Sequence, residues 1–107
     1  MELTHLQSFE QYLDERITKG NELWKANNTT SQMCDEWFSK TKGGVTVGIG
    51  KDETDNSFHH GNFYPPMFTE KELKRRLAAC IDETKQIRKW TTSVLPNFDV
   101  RNLDKFR

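Results

Sequence analysis

The chain lacks most of the features from which a specialised chemistry is read. In 107 residues it has two cysteines, three prolines and no net charge. No apolar run approaches the ~20 residues of a membrane span, and Met1 to His5 lacks the basic start and apolar stretch of a signal peptide. A non-membrane, cytoplasmic setting is therefore expected. Cys34 and Cys80 stand far apart with no CxxC spacing, and both fall on apolar helix faces, so they read as reduced core thiols. Only 34% of residues are hydrophobic. That suffices for one compact core and one domain over residues 1 to 107, with little apolar surplus.

Several site chemistries are missing as well. Gly48-Ile49-Gly50-Lys51-Asp52 resembles a phosphate loop only superficially, because Val45 stands where the first glycine belongs and Asp52 follows the lysine. Asp52 to Ser57 fails the calcium-loop pattern: Thr54 takes the second ligand position and Ser57 stands where a glycine is needed. The adjacent pair His59-His60 has no HxxxH or HExxH spacing, and neighbours on a strand point to opposite faces. No metal, no cofactor and no catalytic residue is expected, and the chain is read as a non-enzyme. Were it an enzyme, His59 or His60 with a nearby loop carboxylate would carry the chemistry.

What is present is a pattern of amphipathic segments. Leu6, Phe9, Leu13, Ile17, Gly20 and Trp24 recur at helical spacing and predict a helix over residues 5 to 26, with Thr4 and Gln7 spaced as a capping box. A glycine on that stripe predicts close approach of a neighbour at Gly20. Met33, Cys34, Trp37 and Phe38 predict a second helix over residues 31 to 41, stopped by Gly43-Gly44. Val45, Val47 and Ile49 alternate with Thr46, Gly48 and Gly50, the period of a strand. After a polar loop from Lys51 to Ser57, residues 58 to 64 are read as its hairpin partner. Thr69 and Glu72 form a second capping box, with Phe68 and Leu73 placed as a hydrophobic staple. Apolar positions from Leu73 to Leu95 then predict a long helix ending at Pro96. Phe98, Val100, Leu103 and Phe106 predict a docked tail. The expected fold is α+β, in the order ααββα.

Charge is distributed unevenly. Residues 1 to 41 carry seven acids against four bases, whereas residues 70 to 107 carry ten bases against six acids. Lys74, Arg75, Lys85, Arg88 and Lys89 form a basic face on the long helix, suited to nucleic acid or to an acidic protein surface and otherwise a solvated face. The segment from Phe58 to Phe68 concentrates aromatics, Met67 and Pro65-Pro66. Interfaces draw their anchors from such residues, so His59, Asn62, Phe63, Tyr64 and Met67 are the expected protein contacts. The prolyl bonds after Tyr64 and Pro65 also admit a prolyl isomerase as a partner.

The sequence thus suggests a small protein-binding adaptor or inhibitor that modulates a larger complex. A nucleic-acid-associated protein is the first alternative and a small enzyme the second. Accessory proteins of phages and mobile elements commonly have this size and lack of motifs, which sets a base-rate expectation of that origin.

Overall fold

A computed structural model of the chain describes residues 5 to 63 and 69 to 93. It contains four helices: α1 (His5–Lys25), α2 (Ser31–Ile49), α3 (Lys51–Ser57) and α4 (Glu70–Ser93). There is no strand among the described residues, so the α+β expectation and its hairpin are wrong. The two long amphipathic helices stand where their periodicity placed them. The error lies between them.

The segment read as a first strand is the second half of α2. Thr30 caps this helix by accepting the Met33 N–H at 3.2 Å. Cys34, Trp37, Phe38, Thr41, Val45, Gly48 and Ile49 are buried in steps of three and four, so Val45 and Ile49 belong to a continuous helical face. Gly43-Gly44 costs helix propensity, about 1 kcal/mol per residue relative to alanine, but does not end the helix. Close packing against α1 offsets that cost. A Cβ at Gly44 would overlap the Tyr12 hydroxyl, and one at Gly48 would sit 2.5 Å from the Phe9 ring. The two glycines let the α1 aromatics lie on the α2 backbone.

Gly50 ends α2 and begins α3. Its φ of 90° and ψ of 164° lie in a region essentially confined to glycine. Its N–H donates to the Thr46 carbonyl, while its own carbonyl accepts both the N–H and the hydroxyl of Thr54. The polar segment expected to be a loop is thereby folded into α3. Asp52 and Glu53 occupy its first turn, where the helix dipole favours acids, and Asp55 pairs with Lys51 and with Lys42 of α2.

The described part of the supposed second strand, residues 58 to 63, is a non-helical clasp across α2 and α4. Phe58 and Phe63 are both buried and meet the Phe38 ring edge to face at 5.3 and 6.1 Å. Gly61 lies against the same ring. The Glu83 carboxylate of α4 accepts the His59 N–H at 2.8 Å, and Arg76 donates to the Asn62 carbonyl.

Helix α4 opens on the expected capping box. The Glu72 N–H donates to Thr69 Oγ1, and the Thr69 N–H donates to the Glu72 carboxylate. Phe68, the other half of the staple, lies outside the described residues, as do Thr4 and the tail from Val94 onward. Arg88 joins α4 to α1 through Glu10 at 3.1 Å and Asp14 at 2.9 Å. Gly20 sits where α1, α2 and α4 converge, with Trp37 and Ile81 within 3 Å of any added Cβ. The close approach expected there is present.

Polar groups complete the interior. Arg16 is 4% exposed; its guanidinium donates to Thr41 Oγ1 and the Trp37 carbonyl and lies 6.0 Å from the Trp37 ring centre. Thr41, Thr54 and Thr84 are fully buried, and each hydroxyl donates to the carbonyl four residues earlier. Each of these buried hydroxyl protons is thereby satisfied by a local carbonyl, and Thr41 Oγ1 accepts from Arg16 as well.

Candidate binding cleft

The residues expected to form an interface after α3 are dispersed by the fold. His59 and Asn62 are exposed, but Phe63 is fully buried against Phe38 and serves the core. Tyr64 and Met67 lie outside the described residues, and so does the proline pair proposed as an isomerase site.

The histidine region brings together a different set of groups from that anticipated. His60 Nδ1 lies 3.2 Å from Glu83 of α4, not beside Asp52, Glu53 or Asp55. Glu83 Oε1 is buried without a hydrogen-bond partner among the described residues. Cys80, one turn earlier on α4, is fully buried, and burial pushes its thiol up to about 12, with the Glu83 carboxylate adding to the shift. Burial likewise raises Cys34 to about 11. Both thiols are free and protonated at neutral pH, which removes their nucleophilicity. The native protein is accordingly expected to resist thiol labelling at about pH 8, reacting only as fast as it opens. A stoichiometric burst of reaction with a thiol reagent, before any denaturant is added, would contradict this. No group of three or more His, Cys, Asp or Glu able to hold a metal occurs among the described residues.

The basic face of α4 separates into two kinds of residue. Arg88 is committed to Glu10, Asp14 and Thr92, so it is a tie between helices. Lys89 is exposed but not free of partners. Lys85 and Arg75 are exposed, and Lys74 is partly buried.

Lys74 and Arg75 belong to an open cleft of about 620 Å³ between the end of α1 and the first turns of α4. Trp24, Asn27, Lys71 and Ala78 line it too, with Glu70 as its single acid. Beyond the end of α1 at Lys25, the chain bends and Asn28 turns left-handed, with a φ of 63°. The Thr29 hydroxyl donates to the carbonyl of Leu23 at 3.0 Å, and Lys74 Nζ donates to that of Ala26 at 2.9 Å. Lys74 thus fixes α4 against the positive-charge-seeking end of α1 and pairs with Glu70 at 3.6 Å.

Trp24, placed on the core stripe from its spacing, is 43% exposed. Leu23 takes the inward position at this last turn and is partly buried against the core, leaving the indole on the cleft wall. Lys71 and Arg75, four residues apart on one face of α4, have no ion-pair partner among the described residues. Sequence periodicity missed this group because the cleft depends on where α4 begins relative to the end of α1. The composition around Trp24 and the unpaired cations of the first α4 turns were its only signals. A second concavity, about 210 Å³, lies between α3 and α4 beside Ile49, Ile87 and Trp90. No helix among the described residues is long and apolar enough to cross a membrane. Comparison with known protein families, curated proteins and solved structures gives no match.

Proposed function

We propose that this protein is a small protein-binding adaptor or inhibitor that attaches to a larger protein complex through the Trp24 cleft. The observation that carries this reading is a large exposed indole at the edge of a concavity whose cations Lys71 and Arg75 have no ion-pair partner among the described residues. Tryptophan and arginine are the residues that most often dominate binding energy when a partner covers them. A folded chain gains nothing in stability from leaving an indole in water, and α1 had Leu23 available to finish its inner stripe. The assignment therefore moves the contact surface from the segment after α3 to the junction of α1 and α4.

Panning a random peptide-display library against the wild type and against Trp24→Ala tests the reading. Trp24→Ala is expected to stay folded, at a cost of about 1–2 kcal/mol for the covered part of the ring, checked by its circular dichroism and melting. It is also expected to lose the peptides that the wild type enriches. Equal enrichment on both proteins would refute the cleft as the contact surface.

A further inference from the structure

We infer that the occupant of the cleft is an acidic segment of another protein, carrying one aromatic or long aliphatic side chain that seats on Trp24. The inference rests on the protein-binding reading above and adds the chemistry of the partner.

Charge complementarity is the first argument. Lys71, Lys74 and Arg75 face a single carboxylate, Glu70, in the cleft. Lys74 is already bound to the Ala26 carbonyl and to Glu70. The charges left to a ligand are therefore the two exposed cations, Lys71 and Arg75. A cationic segment would meet repulsion there, and a neutral one would desolvate both cations without pairing them.

Direction is the second. Residues 71, 75, 78, 82 and 85 of α4 follow one another at steps of four and three, which places them on one outward stripe. Apart from Asp82 its charged members are basic, and it runs from the cleft to Lys85, about 21 Å at 1.5 Å per residue. An apolar side chain fixed against Trp24 and Ala78 leaves its neighbours to follow this ridge, so carboxylates on one side of the anchor meet Lys71 and Arg75, and those on the other side reach Lys85.

A single-stranded nucleic acid would also stack on an indole and pair with cations. Two features favour protein. The stripe is interrupted by Asp82 and the cleft by Glu70, each opposing a continuous phosphate chain. Among the described residues lining the cleft, Trp24 is also a lone ring, where a nucleic-acid track stacks successive bases.

The test uses the full chain and the same peptide-display selection. Peptides enriched on the wild type are expected to carry Asp and Glu around one aromatic or leucine. A synthetic copy of the strongest binder should weaken about thirtyfold on Trp24→Ala, the behaviour of an anchor residue. It should weaken severalfold on Lys71→Glu and on Lys85→Glu, and progressively as salt is raised. Replacing its acids by glutamine should reproduce the loss.

Enriched peptides that depend on Trp24 but are neutral, and that ignore both charge reversals, would overturn this inference while leaving the protein-binding reading intact. Failure to enrich any Trp24-dependent peptide would overturn both. A thymidine oligonucleotide that binds at the same salt and is lost with Trp24→Ala and Lys71→Glu would replace the acidic segment with nucleic acid.

Discussion

Phe38→Ala is expected to remove about 3–5 kcal/mol of unfolding free energy, the range for deleting a buried aromatic side chain. Phe38 is 9% exposed, and its ring receives Phe58, Phe63 and Gly61 on its edges and faces. Those three residues hold the clasp between α3 and α4, so one deletion frees both of its ends. A loss of that size in a domain of about this length lowers the melting temperature by roughly 15 °C or more. Urea unfolding followed by circular dichroism measures the free energy. Amide exchange should show His59 to Phe63 losing protection beyond the global change. A cost below about 1 kcal/mol would mean that the ring is not the anchor of the clasp.

The glycines of α2 supply the second large effect, and it has two signs. At Gly48 an added methyl would meet Phe9 at 2.5, 2.8 and 2.9 Å, and Phe9 is wholly buried, so its ring has no water to swing into. Overpacking of this kind costs about 1–3 kcal/mol, against which alanine regains about 1 kcal/mol of helix propensity. At Gly43 nothing lies within 4 Å of the same methyl. Gly43→Ala should therefore stabilise by up to about 1 kcal/mol, while Gly48→Ala destabilises. Melting both variants beside the wild type decides the matter. Effects of one sign at both positions would contradict a continuous α2 lying under α1.

Why the middle of the chain misled sequence reasoning follows from these same residues. Val45, Val47 and Ile49 satisfy a period of two, yet Val45, Gly48 and Ile49 also extend the helical series begun at Cys34 and Trp37. A local window does not choose between them. The choice was made by Phe9 and Tyr12, more than thirty residues away, whose rings need a backbone without side chains. The first and last helices were legible because their stripes are long and the second carries its own capping box. Helix α3 was hidden for the opposite reason: Thr54 is its only buried residue, so it has no apolar period to read. Of the seven residues lining the cleft, Lys74 and Arg75 stand on the basic face read from the sequence, but Trp24 was assigned to the interior. Nothing in α1 alone states that its stripe outruns α4.

The buried threonines carry a consequence for the opened chain. Because Thr41, Thr54 and Thr84 tie their hydroxyls to their own helix, the interior is closed with side chains that water also solvates well. Denatured molecules therefore offer one another few sticky stretches, and only 34% of the residues are hydrophobic. Thermal unfolding should consequently reverse on cooling without precipitation, even at concentrations where greasier helical bundles coagulate.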